Sequence, residues 1–217
     1  FVLFLQGCHL QCKYCHNRDT WDINSGEYKS LDDIFDKIMR YKNYIFPNGG
    51  VTVTGGEPLL QSKFLIELFT KLKSENIHTC IDTSGMLPLT NDIQKVLELT
   101  DLVLLDIKHI DEMAHKDLTG HTNQNILELA KYLSDIQKPV WIRHVLVPTI
   151  NTDEKYLERL HQFVAQLKNV ERIEVLPYHT LGAYKWKELG LGYPLEGIDP
   201  PTEKQLQIAN TILETGK

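Results

Sequence analysis

Six runs of strand length, apolar along most of their extent, punctuate the chain: Phe1–Leu5, Gly50–Thr54, Ile77–Asp82, Asp101–Ile107, Val140–Val147 and Arg172–Tyr178. Amphipathic patterns of helical period fill the intervals. Ser30 can cap a helix with Asp33 three residues on, and Leu31, Ile34, Ile38 and Tyr41 then share one face. Further helical stripes follow at Phe64, Leu65, Leu68 and Leu72, at Ile93, Val96 and Leu97, and at Ile126, Leu127, Ala130 and Leu133. The last two run through Leu157, Leu160, Val164 and Leu167 and through Leu206, Ala209 and Leu213. Nearly continuous apolar strands alternating with helices imply a parallel α/β sheet covered by helices. Six such units make a partial barrel or an open doubly wound sheet.

At 217 residues, 42% of them apolar and 24% charged, the chain suits one domain with a substantial core, spanning 1–217. No apolar run is long enough to cross a bilayer and no signal-peptide pattern is present, so a cytoplasmic location is expected. A net charge of −6 gives no general pull toward nucleic acid or an acidic membrane, and neither is expected as a partner. Because Phe1 is not a methionine and already lies in an apolar run, a short preceding segment is expected.

In parallel α/β folds, functional residues gather where the carboxyl ends of the strands open onto one face. Here the first strand runs into "GCHLQCKYC", the second into Gly55-Gly56-Glu57-Pro58, and the third into "DTSG" from Asp82. The fourth ends Asp106-Ile107-Lys108-His109, the fifth carries Arg143, and the sixth ends Pro177-Tyr178-His179. Paired glycines before a carboxylate form a turn or let backbone approach a ligand. Asp106 and Lys108 share a strand face, as an ion pair or as two ligand contacts. A cation such as Arg143 within an apolar strand requires an anionic partner.

Three of the four cysteines, Cys8, Cys12 and Cys15, fall within nine residues. A disulfide framework belongs to small secreted domains, which this composition does not resemble, so the cluster points to metal. Three thiolates suit zinc, with His9 or His16 as the fourth ligand, or an iron–sulfur cluster. Cys80, in an apolar strand, fits a small core residue. Three protein ligands on a four-iron cluster would leave one iron open.

C-x3-C-x-aromatic-C, with Tyr14 as the aromatic, followed one unit later by Gly-Gly-Glu-Pro, resembles the radical S-adenosylmethionine (SAM) superfamily. More narrowly, "YCHNRDTWD", "HTCIDTSG", "DLVLLDIKH", "VWIRHVLVP" and "IEVLPYHTLGAYKW" are similar to its glycyl-radical-enzyme activases, over essentially the whole chain. The resemblance implies a single-domain partial (β/α)6 TIM-like barrel of parallel strands. It implies that Cys8, Cys12 and Cys15 hold a 4Fe-4S cluster whose fourth iron is chelated by S-adenosyl-L-methionine. Gly55, Gly56 and Glu57 would meet the methionine amino end and Lys108 its carboxylate, with Asp106 and Ile107 beside it. Tyr14 and His16 would lie on the adenosine side, and Arg143 and His179 in the rest of the pocket. Asp82, Thr83, Leu104 and Asp106 match a monovalent-cation site. The implied reaction is reductive cleavage of S-adenosyl-L-methionine and removal of a hydrogen from a glycine loop of pyruvate formate-lyase, with flavodoxin or ferredoxin as electron donor.

The family carries an Asp-Gly-Pro-Gly stretch just before its first strand, and this sequence begins after that point. Some other activases contain an inserted ferredoxin-like segment rich in cysteine, and this chain has none. A zinc-binding interaction module would need the three cysteines and a histidine but no rim of cofactor contacts. The stretch "HTLGAYKW" offers Tyr184, Lys185 and Trp186 either to grip a peptide or to pack against the chain itself.

Overall fold

The computed structural model describes residues 1–45 and 47–215; Phe46, Gly216 and Lys217 of the expected 1–217 domain lie outside the described residues. Six strands form one sheet: β1 (Val2–Leu5), β2 (Gly50–Gly55), β3 (His78–Thr83), β4 (Leu102–Asp106), β5 (Val140–Leu146) and β6 (Val170–Pro177). All pairings are parallel and the spatial order is β1-β2-β3-β4-β5-β6. Each crossover therefore steps one place in the same direction, which winds the sheet as a barrel. β1 and β6 do not pair, so the barrel is partial, and the single-domain α/β architecture is as expected.

Nine helices occur among the described residues: α1 (Leu31–Arg40), α2 (Lys42–Ile45), α3 (Ser62–Ser74), α4 (Asn91–Glu98), α5 (Glu112–Thr119), α6 (Gln124–Asp135), α7 (Glu154–Val164), α8 (Ala183–Glu188) and α9 (Glu203–Ile212). α1 starts at the capping box formed by Ser30 and Asp33, as the sequence suggests. Leu167, expected on the same helix as Val164, lies beyond the end of α7 but still packs on the core. The helices α2, α5 and α8 were not legible as apolar stripes. The buried face of α5 is His115, Leu118 and Thr119, and that of α8 is Trp186 alone.

Period-two alternation separates the two faces of the sheet. Val51, Val53, Ile81, Val103, Leu105 and Ile142 point outward and pack with Leu65, Leu68, Phe69, Leu97 and Ile126 of the helices. Each fully buried side chain of this kind contributes roughly 1.5–3 kcal/mol. The alternate residues face inward and are largely polar. Register aligns Thr52 with Cys80, Asp82 with Leu104, and Asp106 with Arg143 and Glu174. A second apolar cluster, Tyr14, Leu118, Val147, Tyr178, Trp186, Tyr193 and Leu195, seals the rim beside the cysteine loop. Among the described residues no helix is long and apolar enough to cross a membrane.

Candidate functional site

The cysteine loop leaves β1 and is laced down on both sides by its main chain. Gly7 N–H donates to the Thr20 carbonyl (2.8 Å) and Cys8 N–H to that of Trp21 (3.2 Å). Gln11 and Lys13 N–H groups donate to the Thr119 and Leu118 carbonyls at the end of α5 (2.7 and 3.0 Å). The unforeseen helix α5 is thus one of the loop's anchors. From β2, Glu57 N–H reaches the Gly7 carbonyl at 2.6 Å.

This packing accounts for the paired glycines. A Cβ on Gly56 would lie 2.1 Å from the Gly7 carbonyl oxygen, and one on Gly55, whose φ is +119°, would lie 2.4 Å from the Leu5 backbone. The close approach these glycines permit is of chain to chain. Glu57 likewise turns inward: its carboxylate, 1% exposed, accepts hydrogen bonds from Leu59 N–H, the Thr83 hydroxyl, and both the N–H and hydroxyl of Ser84. It fastens the β2 exit to the β3 exit, and Glu57 is not among the residues that line the cavity.

Cys8, Cys12 and Cys15 line one cavity of about 480 Å³ at the strand ends, a volume within the roughly 300–1,000 Å³ of ligand pockets. All three are free thiols. Burial, then Glu57, pushes the Cys8 thiol up to about 11, against the N–H of Leu10 and the charge of Lys108. Burial pushes Cys12 to about 12, opposed chiefly by Lys108. Soft ligands must lose these protons to bind metal, which makes uptake pH-dependent. Neither imidazole offered for zinc completes a tetrad. His9 is exposed and outside the cavity, while His16 Nε2 is bonded to the His179 carbonyl at 2.9 Å.

Opposite the thiols stand four charges that neutralise one another. Lys108 Nζ is 3.1 Å from Asp106 Oδ2, and Arg143 Nη1 is 3.0 Å from Asp82 Oδ2, which also accepts from the Thr54 hydroxyl. Burial alone would depress the Lys108 ammonium, yet Asp106 holds it well above its usual range. Burial and the neighbouring Asp106 raise the Asp82 carboxyl despite Arg143. The Lys108 ammonium also sits 5.7 Å from the Tyr14 ring centroid, and the buried Tyr14 hydroxyl has no hydrogen-bond partner among the described residues. Paired opposite charges lining a roomy cavity fit a polar, zwitterionic occupant.

Of the residues singled out in the sequence, Tyr14, His16, Gly55, Gly56, Asp82, Thr83, Asp106, Lys108, Arg143 and His179 line this cavity with the three cysteines. Ile107 does not. Its side chain is in the helix-facing core, its N–H donates to the Arg143 carbonyl, and its carbonyl accepts from His144 Nδ1 (2.7 Å). Leu104 pairs with Asp82 in register but is also outside the cavity.

The pattern missed Asn17, Trp21, Thr54 and Ser84, all cavity-lining; Trp21 stands in a stretch legible only through the family resemblance. The segment after β6 clasps the cysteine loop. The His16 and His179 rings stack at 4.1 Å, Trp186 Nε1 donates to the Cys15 carbonyl (3.0 Å), and Lys185 pairs with Asp19 (2.9 Å). Within "HTLGAYKW", Lys185 and Trp186 therefore pack on the chain itself, whereas Leu181 and Tyr184 are 76% and 56% exposed.

Residues 2–161 match the sequence pattern of the radical SAM superfamily. A pyruvate formate-lyase-activating enzyme of Listeria monocytogenes is 50% identical, covering 99% of this chain and 89% of its own. Its counterpart in Streptococcus mutans is 47% identical, with 99% and 84% covered. Among solved structures, a domain of pyruvate-formate lyase-activating enzyme from Bacteroides vulgatus superposes with a TM-score of 0.65 at 29% identity, over 77% of this chain and 94% of that one. A radical SAM methyltransferase from Sphaerobacter thermophilus, at 14% identity and a TM-score of 0.71 over 98% of this chain and 62% of that one, shares the fold.

Proposed function

The chain belongs to the radical SAM superfamily and, within it, to the pyruvate formate-lyase-activating enzymes, and from that premise we infer how its cavity serves the reaction. It is a radical SAM activase of pyruvate formate-lyase, and its cofactors are a 4Fe-4S cluster and S-adenosyl-L-methionine. When bound and reduced, the cluster supplies the electron that cleaves S-adenosyl-L-methionine, and the radical so released takes a hydrogen atom from a glycine of pyruvate formate-lyase.

Each group of residues would then have one task. Cys8, Cys12 and Cys15 would hold the cluster. Lys108 would meet the carboxylate of the methionine moiety, exchanging part of its pairing with Asp106 for the ligand. The main chain at Gly55 and Gly56 faces the same cavity and would meet the amino end, while Glu57 holds that main chain in place. Tyr14, His16, Arg143 and His179 would frame the remainder. Asp82, Thr83 and Asp106 would receive a monovalent cation, which would relieve the repulsion that raises the Asp82 carboxyl. Closing this pocket over the ligand would exclude water and keep competing reactions from the radical. We further propose that residues 1–217 form one core domain working in the cytoplasm, with flavodoxin or ferredoxin as reductant and neither nucleic acid nor membrane as partner.

The observation that carries the assignment is the meeting of three thiols with two cross-paired cations and carboxylates in one cavity. The test is anaerobic iron–sulfide reconstitution followed by incubation with pyruvate formate-lyase, S-adenosyl-L-methionine and a reductant, read by electron paramagnetic resonance. A glycyl doublet is expected. Alanine at Cys8, Cys12 or Cys15 should abolish both iron retention and the doublet, while Cys80→Ala keeps both; a Cys80 variant that loses iron beside a Cys12 variant that keeps it would reverse the ligand assignment.

A further inference from the structure

We propose that Trp21 is a positioning residue for the cluster, whose indole N–H, donated to the Cys15 sulfur, raises the cluster's reduction potential. The proposal rests on the assignment of Cys8, Cys12 and Cys15 as cluster ligands.

Trp21 Nε1 lies 3.2 Å from Cys15 Sγ. An indole nitrogen can only donate, so the direction of this bond is fixed by chemistry. The ring is locked on two sides: the Arg18 guanidinium lies 4.0 Å from its centroid, and the Trp186 ring meets it at 5.5 Å and 84°. Trp186 donates its own N–H to the Cys15 carbonyl, so two indoles grip one cysteine, one at its sulfur and one at its main chain. Trp21 also accepts the Cys8 N–H at its carbonyl, which ties the same residue to the first cysteine of the loop.

The donors nearest the three sulfurs differ, although Lys108 bears on both Cys8 and Cys12. Cys8 receives the Leu10 main-chain N–H, Cys12 lies in the field of Lys108, and Cys15 receives the indole. Only the last is a side-chain hydrogen bond that substitution can delete while an aromatic ring stays in place. A hydrogen bond to a ligating thiolate withdraws electron density and favours the more negative, reduced cluster, so donors of this kind raise the potential. The chemistry assigned to this site begins with reduction of the cluster, which is the step such a donor eases.

The test compares wild type, Trp21→Phe and Trp186→Phe after anaerobic iron–sulfide reconstitution, with the midpoint potential read by electron paramagnetic resonance during a redox titration. All three should retain iron and sulfide. Trp21→Phe should need a more negative potential, by up to about tenfold in the reduction equilibrium or ~59 mV for one electron. Trp186→Phe, which removes a bond to a carbonyl and none to sulfur, should show less than half that shift. An unchanged midpoint in an iron-replete Trp21→Phe overturns the proposal, and so does an equal shift in both variants, which would assign the effect to packing. Should Trp21→Phe fail to hold iron, the benzothienyl isostere of tryptophan placed at position 21 keeps the ring shape without the N–H. It must still lower the potential, and an unchanged value there overturns the proposal as well. A wild type that takes up no cluster at all removes the ligand assignment itself, a failure distinct from the others.

Discussion

On the β1–β3 side of the rim, the cysteine loop and the Gly55–Pro58 turn are held by main-chain hydrogen bonds and by backbone packed too closely for any side chain, with the Glu57 carboxylate and the Trp186 indole as side-chain ties. On the β4–β6 side, Asp106, Lys108, Arg143 and Glu174 hold one another by charge, with Asp82 reaching across from β3. The first arrangement cannot be redrawn without moving the chain. The second consists of side chains whose partners can be exchanged, because the Asp106 carboxylate that pairs with Lys108 can yield to a ligand's carboxylate at little electrostatic cost. One half is built to fix thiols in place and the other to trade partners, so substitutions in the two halves should fail in different ways.

The largest effect is expected at Gly56. A valine there would drive its Cβ into the Gly7 carbonyl, one residue from Cys8, and neither atom is the end of a flexible side chain. Overpacking of this kind costs roughly 1–3 kcal/mol, and more where backbone must shift. Gly56→Val should therefore lose most of its iron after reconstitution as well as its cofactor binding. Full iron content with only cofactor binding weakened would mean that the glycine serves the ligand's approach and not the loop.

Lys108→Met breaks the other half. Iron should be retained, since the thiols keep their main-chain anchors, while affinity for S-adenosyl-L-methionine falls by about tenfold or more, the value of a charge-assisted hydrogen bond. The same change leaves the half-buried Asp106 without its partner, so Asp106→Asn with Lys108→Met should recover some thermal stability but none of the affinity. Equilibrium binding and thermal melts on the iron-loaded variants separate the two. Recovery of affinity in the double variant would mark the ion pair as structural.

These two halves were not equally visible in the sequence. The six strands and the helices with apolar stripes are legible because the hydrophobic period is what burial against a parallel sheet demands, and the residues after each strand could be placed at one rim by topology alone. The charged side chains on the β4–β6 side followed from that placement. The β1–β3 side was read less well. Glycine carries no mark that tells ligand approach from chain approach, and a carboxylate after two glycines gives no sign that its acceptors will be claimed by Thr83 and Ser84, 26 and 27 residues further on. Ile107 sits between two inward-facing positions, where the two-residue period sends its side chain outward to the core. α5, which anchors the cysteine loop, hides behind a buried face that includes His115 and Thr119, and no hydrophobic scale marks those.

That concealed layer supports the smallest prediction. His109, His115 and His144 are all buried beneath the β4–β5 end of the rim, and the Nε2 of each has no partner among the described residues. Burial lowers His115 and His144 to about 4, with the nearby Lys108 charge adding to the effect in both. Burial thus favours the neutral imidazole of His115 and of His144 in the folded chain near pH 7. Unfolding returns them to about 6.5, so below that value the unfolded state binds protons that the folded state refuses. Each should therefore cost stability as pH falls from about 6.5 toward 4, by roughly 1 kcal/mol apiece at pH 5.5, and cost nothing further below the folded value. His144→Met keeps an apolar-sized side chain on the helix-facing side of β5 but gives up the bond to the Ile107 carbonyl, which lowers stability at pH 7. Its stability should then fall less steeply with acid than the wild type's, by about one proton's worth of slope. Urea unfolding of the iron-free protein at half-unit steps from pH 7 to 5 measures both slopes; parallel lines would mean that His144 takes up its proton equally in the folded and unfolded chain, and a wild type falling less steeply than the variant would mean that it is already charged when folded, despite the nearby Lys108 ammonium.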